Sequence, residues 1–235
     1  MNRNITNTIR FVLDELIPPF IRDNRVFMFP FYCFAYRCKD IKTVMNYKTA
    51  VYNFSGTEYR TFYSGLDSLS RNRPTDINRE SLDIIANEII QADTASVLDA
   101  GCGKGFLLKM LRHRYPEIRL TGCDIFDQPS CDEYEYLSAS AENLPFPDRS
   151  FDVVTCCHTL EHIVEIGKAV AELKRVARNK VIIVVPCQRE YFFTLDEHVN
   201  FFPYKSKLLH ILGADAEKCL KIKGDWLAVL RSDPI

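Results

Sequence analysis

The 235-residue chain has no C-x-x-C pair, no apolar run of membrane-spanning length, no internal repeat and no low-complexity tract. Each absence excludes something. Cys33 and Cys38 stand five apart with no histidine beside them, which is not the spacing of a zinc clip, so no metal is expected there. The start of the chain lacks the long apolar core of a signal peptide, and no transmembrane segment is expected. Several of the nine cysteines, Cys123, Cys156, Cys157 and Cys187 among them, sit in apolar runs, where a thiol acts as a small hydrophobe. That usage implies a reducing, cytoplasmic compartment. Lys and Arg total 30 against 31 Asp and Glu, a formal charge of -1, which disfavours a protein that wraps nucleic acid by charge alone.

What is present is apolar and aromatic. Hydrophobic residues make up 47% of the chain, enough for a sizeable core, and of the 16 Phe and 11 Tyr, 8 Phe and 6 Tyr crowd the first 65 residues. Ile5, Ile9, Val12, Leu13, Leu16 and Ile17 recur at spacings of three and four, which predicts a helix over 5–21 stopped by Pro18-Pro19. Residues 26–36 are almost wholly apolar, with Arg22, Arg25, Arg37 and Lys39 at the flanks. The stretch is too short to span a bilayer. It could lie on a membrane surface, face a partner chain, cover an active site, or pack as a helical hairpin on the main domain. Ser55-Gly56-Thr57-Glu58 resembles a turn or helix start, 71–76 is a polar loop, and 77–90 reads as a helix. These features put a domain junction near residue 75: a helical, aromatic-rich segment 1–75 that serves as lid or substrate segment, then a core domain 76–235.

From residue 96 onward strand and helix alternate, the signature of an α/β protein. Strands are expected at 96–100, 119–124, 135–139, 151–157 and 181–185, with helices at 105–115, 165–177 and 204–212. Two closing strands, 217–223 and 226–231, form a hairpin through Gly224-Asp225. The fold class is a doubly wound, mostly parallel seven-stranded sheet with helices on both faces and a helical N-terminal elaboration. Residues 175–180 read as a loop in which Asn179 supplies the turn.

The chain is organised around the stretch from Val97 to Leu108, which runs strand, glycine turn, helix. That is the layout of a nucleotide cradle, where glycine admits strained dihedrals and the free amides of the helix start point at a ligand. Gly101, Gly103 and Gly105 alternate, so this is neither the G-x-G-x-x-G dinucleotide fingerprint nor a P-loop. Asp124 ends the second strand about twenty residues on, where a carboxylate can take two hydrogen bonds from ribose hydroxyls.

Asp99-Ala100-Gly101-Cys102-Gly103-Lys104-Gly105 resembles motif I of the class I S-adenosylmethionine-dependent methyltransferases. The stretch from Ala139 to Asp152 resembles the family's adenine-contacting loop running into its fourth strand. Members often carry Gly-Asp ahead of Ala-Glu; here Ala139-Ser140 stand there, and the Ser140 hydroxyl can accept the corresponding bond. His158-Thr159-Leu160-Glu161-His162-Ile163 resembles the Leu-Glu-His segment of small-molecule members, and the segment from Glu197 to Pro203 resembles their His-x-x-Phe-Phe segment. The resemblance covers roughly 80–231 and leaves out 1–75.

It implies a Rossmann-like methyltransferase fold and S-adenosyl-L-methionine as cofactor, held by Asp99, Gly101, Cys102, Gly103, Gly105, Asp124, Ile125, Ser140, Ala141, Glu142 and Cys157. It implies methyl transfer to a small metabolite or sugar-like acceptor, at oxygen. His198 is the expected base, His158 its runner-up, with Glu161 or His162 as orienting groups. His158, Glu161 and His162 mimic metal-ligand spacing, but their order is not H-E-x-x-H and no metal is expected. The Asn/Asp-Pro-Pro-Tyr/Phe segment of base-methylating members is missing, so no nucleic-acid partner is expected. Two alternatives stay open: an enzyme acting on a lipid-linked substrate at a membrane surface, and a non-catalytic nucleotide-binding module. A homodimer is also open.

Overall fold

The computed structural model describes residues 3–66, 73–128, 131–213 and 216–232. Arg71 and Asn72 of the expected polar loop lie outside them. The chain divides into two compact units, Met1–Asp76 with Arg189–Val199, and Ile77–Gln188 with Asn200–Ile235.

The first unit is helical. Its elements are α1 (Arg3–Phe11), a π-helical turn (Val12–Leu16), α2 (Pro19–Arg22), α3 (Arg25–Ala35), α4 (Ile41–Met45), α5 (Tyr47–Ala50), a 3-10 turn (Val51–Asn53) and α6 (Gly56–Gly65). The helix expected over 5–21 is therefore two helices. Pro19 does not merely end the first; it occupies the first turn of α2, where its missing N–H costs nothing. Ser55 and Glu58 close a capping box at the start of α6. Leu13, Met28, Tyr32, Ala35, Tyr36, Val44, Met45 and Phe193 form the unit's apolar core. Within it, Arg22 pairs with Asp14 at 2.8 Å, also donates to the Phe193 carbonyl, and lies over the Tyr191 ring. Arg189–Val199 is thus stitched to these helices by buried polar bonds, including Tyr32 Oη to the Thr194 carbonyl at 2.6 Å.

The second unit contains α7 (Arg79–Gln91), β1 (Ser96–Ala100), α8 (Phe106–Arg114), β2 (Arg119–Asp124), β3 (Glu135–Ser138), β4 (Phe151–Cys157), α9 (Ile166–Val176), β5 (Ala177–Pro186), α10 (Lys205–Leu212), β6 (Ala216–Ile222) and β7 (Asp225–Arg231). Seven strands form one sheet in the order β3-β2-β1-β4-β5-β7-β6. The first five are parallel and β7 runs antiparallel to both β5 and β6. β1 and β4 are buried along their whole length, as central parallel strands must be when helices cover both faces. Two apolar clusters fill the layers, one around Leu98, Phe151, Leu173 and Phe202, the other around Ile85, Leu108, Leu111 and Val153.

Two local expectations are corrected. No turn forms at Asn179: α9 passes straight into β5 at Ala177, and a register shift against Phe151 and Val153 absorbs the irregularity. The Arg178 side chain there pairs with Asp152, which accepts the Ala95 and Ser96 amides at the foot of β1. The closing hairpin turns through Lys223-Gly224, both at positive φ, the geometry that fits a two-residue turn between twisted strands. Asp225 is the first residue of β7.

Candidate active site

β1 delivers Asp99 to its C-terminal end and the chain then turns through Gly101, Gly103 and Gly105, with φ of +76°, +51° and +71°. The first and third glycines are needed for packing. A Cβ on Gly101 would stand 2.2 Å from Thr159 Oγ1, and one on Gly105 2.1 Å from the Tyr134 hydroxyl. Gly103 differs: a Cβ there would meet nothing within 4 Å. The crest of the turn is open space, where a ligand can come against bare backbone. The Gly101 and Cys102 amides donate to the Cys123 carbonyl at 2.8 and 3.0 Å, which ties the turn to β2. Cys102 packs its thiol into the apolar layer, where burial pushes its pKa up, so it serves as backbone and packing and not as a reactive group.

Two carboxylates flank the turn. Asp99 is buried and accepts a 2.7 Å bond from Thr155 Oγ1; burial, with the Asp124 charge adding to it, lifts its pKa to about 7. Asp124 accepts the Gly103 amide at 2.9 Å. Burial raises its pKa too, opposed by the amides of Gly103, Ile125 and Phe126 and by His162. Ile125 therefore enters as a backbone donor to Asp124. Two acids pushed toward protonation beside open backbone suit a ligand that brings hydroxyl donors and positive charge.

Beyond β3 the polar groups are engaged locally. The Ser140 hydroxyl accepts the Glu142 amide at 3.2 Å, an arrangement that closes a short turn. Glu142 Oε1 accepts the Glu165 amide at 3.0 Å and so braces the entry to α9, while Ala141 is buried in the core. Cys157 ends β4, buried, and its carbonyl accepts Thr159 Oγ1 at 3.2 Å.

The turn after β4 carries a buried charge network. His158 has φ +52° and lies between two carboxylates, its Nδ1 3.3 Å from Glu161 Oε1 and its Nε2 3.6 Å from Asp225 Oδ2. Burial works against its charge, yet Asp225 and Glu161 outweigh it and lift its pKa to about 9. An imidazole already protonated at neutral pH cannot accept a second proton, so His158 is better suited to holding the turn than to acting as base. Asn78 extends the network: its Nδ2 donates to Asp225 Oδ2 at 3.1 Å while its Oδ1 caps α7 through the Ser81 amide at 2.9 Å. Asn200 clamps the same turn from the other side, donating to the Leu160 and Ile163 carbonyls at 2.9 and 2.6 Å. Sequence reasoning missed Asn78, Asn200 and Asp225. The sequence cue for the first was a helix start three residues before Ser81; nothing local marked the others.

His162 donates its amide to the Thr159 carbonyl at 3.0 Å. His198 belongs to the first unit, buried, with Nδ1 3.4 Å from Asp196 Oδ2. Its neighbour Glu197 has φ +53° and accepts the Tyr36 hydroxyl; burial first, then the Asp196 charge, lift its pKa to about 8.

Glycine turn, carboxylate at the end of β2 and sheet order together have the layout of nucleotide sites in doubly wound domains. Residues 98–185 match the family described as methyltransferase domain. The chain contains a class I S-adenosylmethionine-dependent methyltransferase domain. It is similar to a demethylmenaquinone methyltransferase of Thermotoga maritima, 27% identical over 103 residues, covering 41% of this chain and 45% of that protein. It is also similar to a ubiquinone biosynthesis O-methyltransferase of Alkalilimnicola ehrlichii, 31% identical over 169 residues, 66% of this chain and 63% of that one. The chain spans about half the length of the curated relatives it matches. Among solved structures, a protein of Pyrococcus horikoshii shares the fold with a TM-score of 0.50 and 18% identity, over 69% of this chain and 97% of that one. No helix among the described residues is long and apolar enough to cross a membrane.

Proposed function

We propose that the protein is an S-adenosylmethionine-dependent methyltransferase acting on a small-molecule acceptor, at oxygen. The observation that carries this reading is the open crest at Gly103 with the Asp124 carboxylate bonded to its amide. S-adenosylmethionine supplies, when bound, a methyl group on a sulfonium that is already a good leaving group. What supports it is the chemistry of the residues: the Asp124 carboxylate beside the open turn can take hydroxyl donors, Asp99 suits a polar, positively charged end, and the turn amides suit the opening. The protein's remaining tasks are to orient the acceptor, exclude water and receive a proton. The aromatic first unit is the segment we assign to acceptor recognition. The relatives are named for acceptors as different as quinone precursors and a malonyl group on a carrier protein, which supports a small acceptor and leaves its identity to the part of the chain they do not share.

Titration calorimetry with S-adenosylhomocysteine tests the cofactor half. Binding is expected in the wild type, and Asp124→Ala should weaken it by about 1.5–3 kcal/mol through loss of charge-assisted bonds. Unchanged affinity in this variant would remove Asp124 from the site.

His198 is the proposed proton acceptor, steered by Asp196. His198→Ala is expected to lower turnover by roughly 10² while leaving S-adenosylhomocysteine affinity intact. The wild-type rate should rise with pH and the variant's should not. A variant that keeps the pH dependence shows that the base lies elsewhere.

A further inference from the structure

α3 is apolar on two faces. Met28, Phe31, Tyr32 and Ala35 recur at i, i+3, i+4 and i+7 and pack into the core of the first unit. Val26, Phe29, Pro30, Cys33 and Phe34 recur at i, i+3, i+4, i+7 and i+8 on the other face. That second face is bare: Val26 is 81% and Phe34 66% exposed, and Phe20 on the preceding helix 79%. A helix apolar all round belongs in an interior, so a second apolar face left in water calls for a covering surface.

The charges around this face choose the occupant. α3 itself holds no acidic residue. Arg25 opens it, and Arg37, Lys39 and Lys42 follow its end, all exposed. The acids in the same stretch are Asp23, which accepts the Phe193 amide at 2.9 Å, and Asp40. A second copy of this chain docking through a two-fold axis along α3 would bring these flanking cations toward one another. An anionic lipid surface accepts both features, apolar side chains among the acyl groups and cations at the headgroups.

We infer that the Val26–Phe34 face of α3, with Phe20, is a peripheral docking site for an anionic membrane surface. The inference concerns the first unit and stands whether or not the chain transfers methyl groups.

Co-sedimentation of the full chain with phosphatidylcholine vesicles, and with vesicles containing roughly a third phosphatidylserine, tests it. The protein should sediment with the phosphatidylserine vesicles and be released at high salt. The double variant Phe29→Asp/Phe34→Asp changes exposed side chains only, so its thermal midpoint should match the wild type while its vesicle binding falls at least about tenfold. Arg37→Glu/Lys39→Glu should lower binding to phosphatidylserine vesicles selectively. No sedimentation with either vesicle, or undiminished binding by Phe29→Asp/Phe34→Asp, overturns the inference. So does a wild-type dimer, seen by light scattering, that the same variant dissociates, since the face would then belong to a second copy.

Discussion

Gly101→Val is expected to abolish binding of S-adenosylhomocysteine while leaving a folded protein. The backbone at Gly101 has φ +76°, a region that β-branched residues enter only under strain of order 1–3 kcal/mol. Space is the second obstacle. The new Cβ would fall 2.2 Å from Thr159 Oγ1 and 2.8 Å from Thr159 Cβ. Thr159 cannot easily withdraw, because its hydroxyl lies 3.2 Å from the Cys157 carbonyl and 3.3 Å from that of Gly101, at the end of a fully buried strand. The turn must therefore shift, and with it the Gly103 amide that holds Asp124. A weakening of about 3 kcal/mol or more, at least roughly a hundredfold, is expected by calorimetry. Gly103→Ala makes the contrast. It meets no atom within 4 Å, so its effect should come from its methyl group entering the ligand's space and from a strained φ of +51°. Wild-type affinity in Gly101→Val, with circular dichroism showing a native fold, would mean that the turn is not the cradle.

The parts legible in the sequence are those whose physics is local. β1 and β4 fall where short, mostly apolar runs end in a glycine or polar turn, because a buried parallel strand has no polar face to blur its edges. The glycine turn is equally local: three glycines at positive φ and two strand-end aspartates follow from strand ends and a helix start. What the sequence hides is set by distant partners. β5 starts at Ala177, four residues before its apolar run, because it pairs with Phe151 and Lys180 pairs with Val153. Arg189–Val199 packs with the first unit through Arg22 and Tyr32, whose donors reach carbonyls that no periodicity marks. Gly224-Asp225 reads as a turn because Gly-Asp pairs usually are, yet Asp225 pairs with Pro186 and Ile222 as the first residue of β7, and the turn falls at Lys223-Gly224.

The buried cation of His158 carries the second large effect. His158→Asn keeps a residue that tolerates positive φ and can still donate to a carboxylate, but it removes the charge. Glu161 and Asp225, 1% exposed each, then both lose the imidazolium that lies between them. Breaking a buried pair in this way costs about 3–5 kcal/mol, and urea unfolding near neutral pH should show it. The pH dependence separates this charge effect from mere loss of packing. The folded-state pKa of about 9 lies above the unfolded value near 6.5. His158 protonation thus contributes its full stabilisation below about pH 6.5, and that contribution is lost as pH rises through about 9; a displacement of this size corresponds to about 3 kcal/mol. Wild-type unfolding free energy should fall over that window and the fall should be much smaller in His158→Asn. Because the network reaches Thr159 and the Gly101 turn through one short connection, S-adenosylhomocysteine affinity should weaken over the same pH window in the wild type alone. A wild-type stability that is flat from about pH 6.5 to 9, or that falls equally in the variant, would show that His158 is not held as a cation and that the turn after β4 is fixed by Asn200 and packing alone.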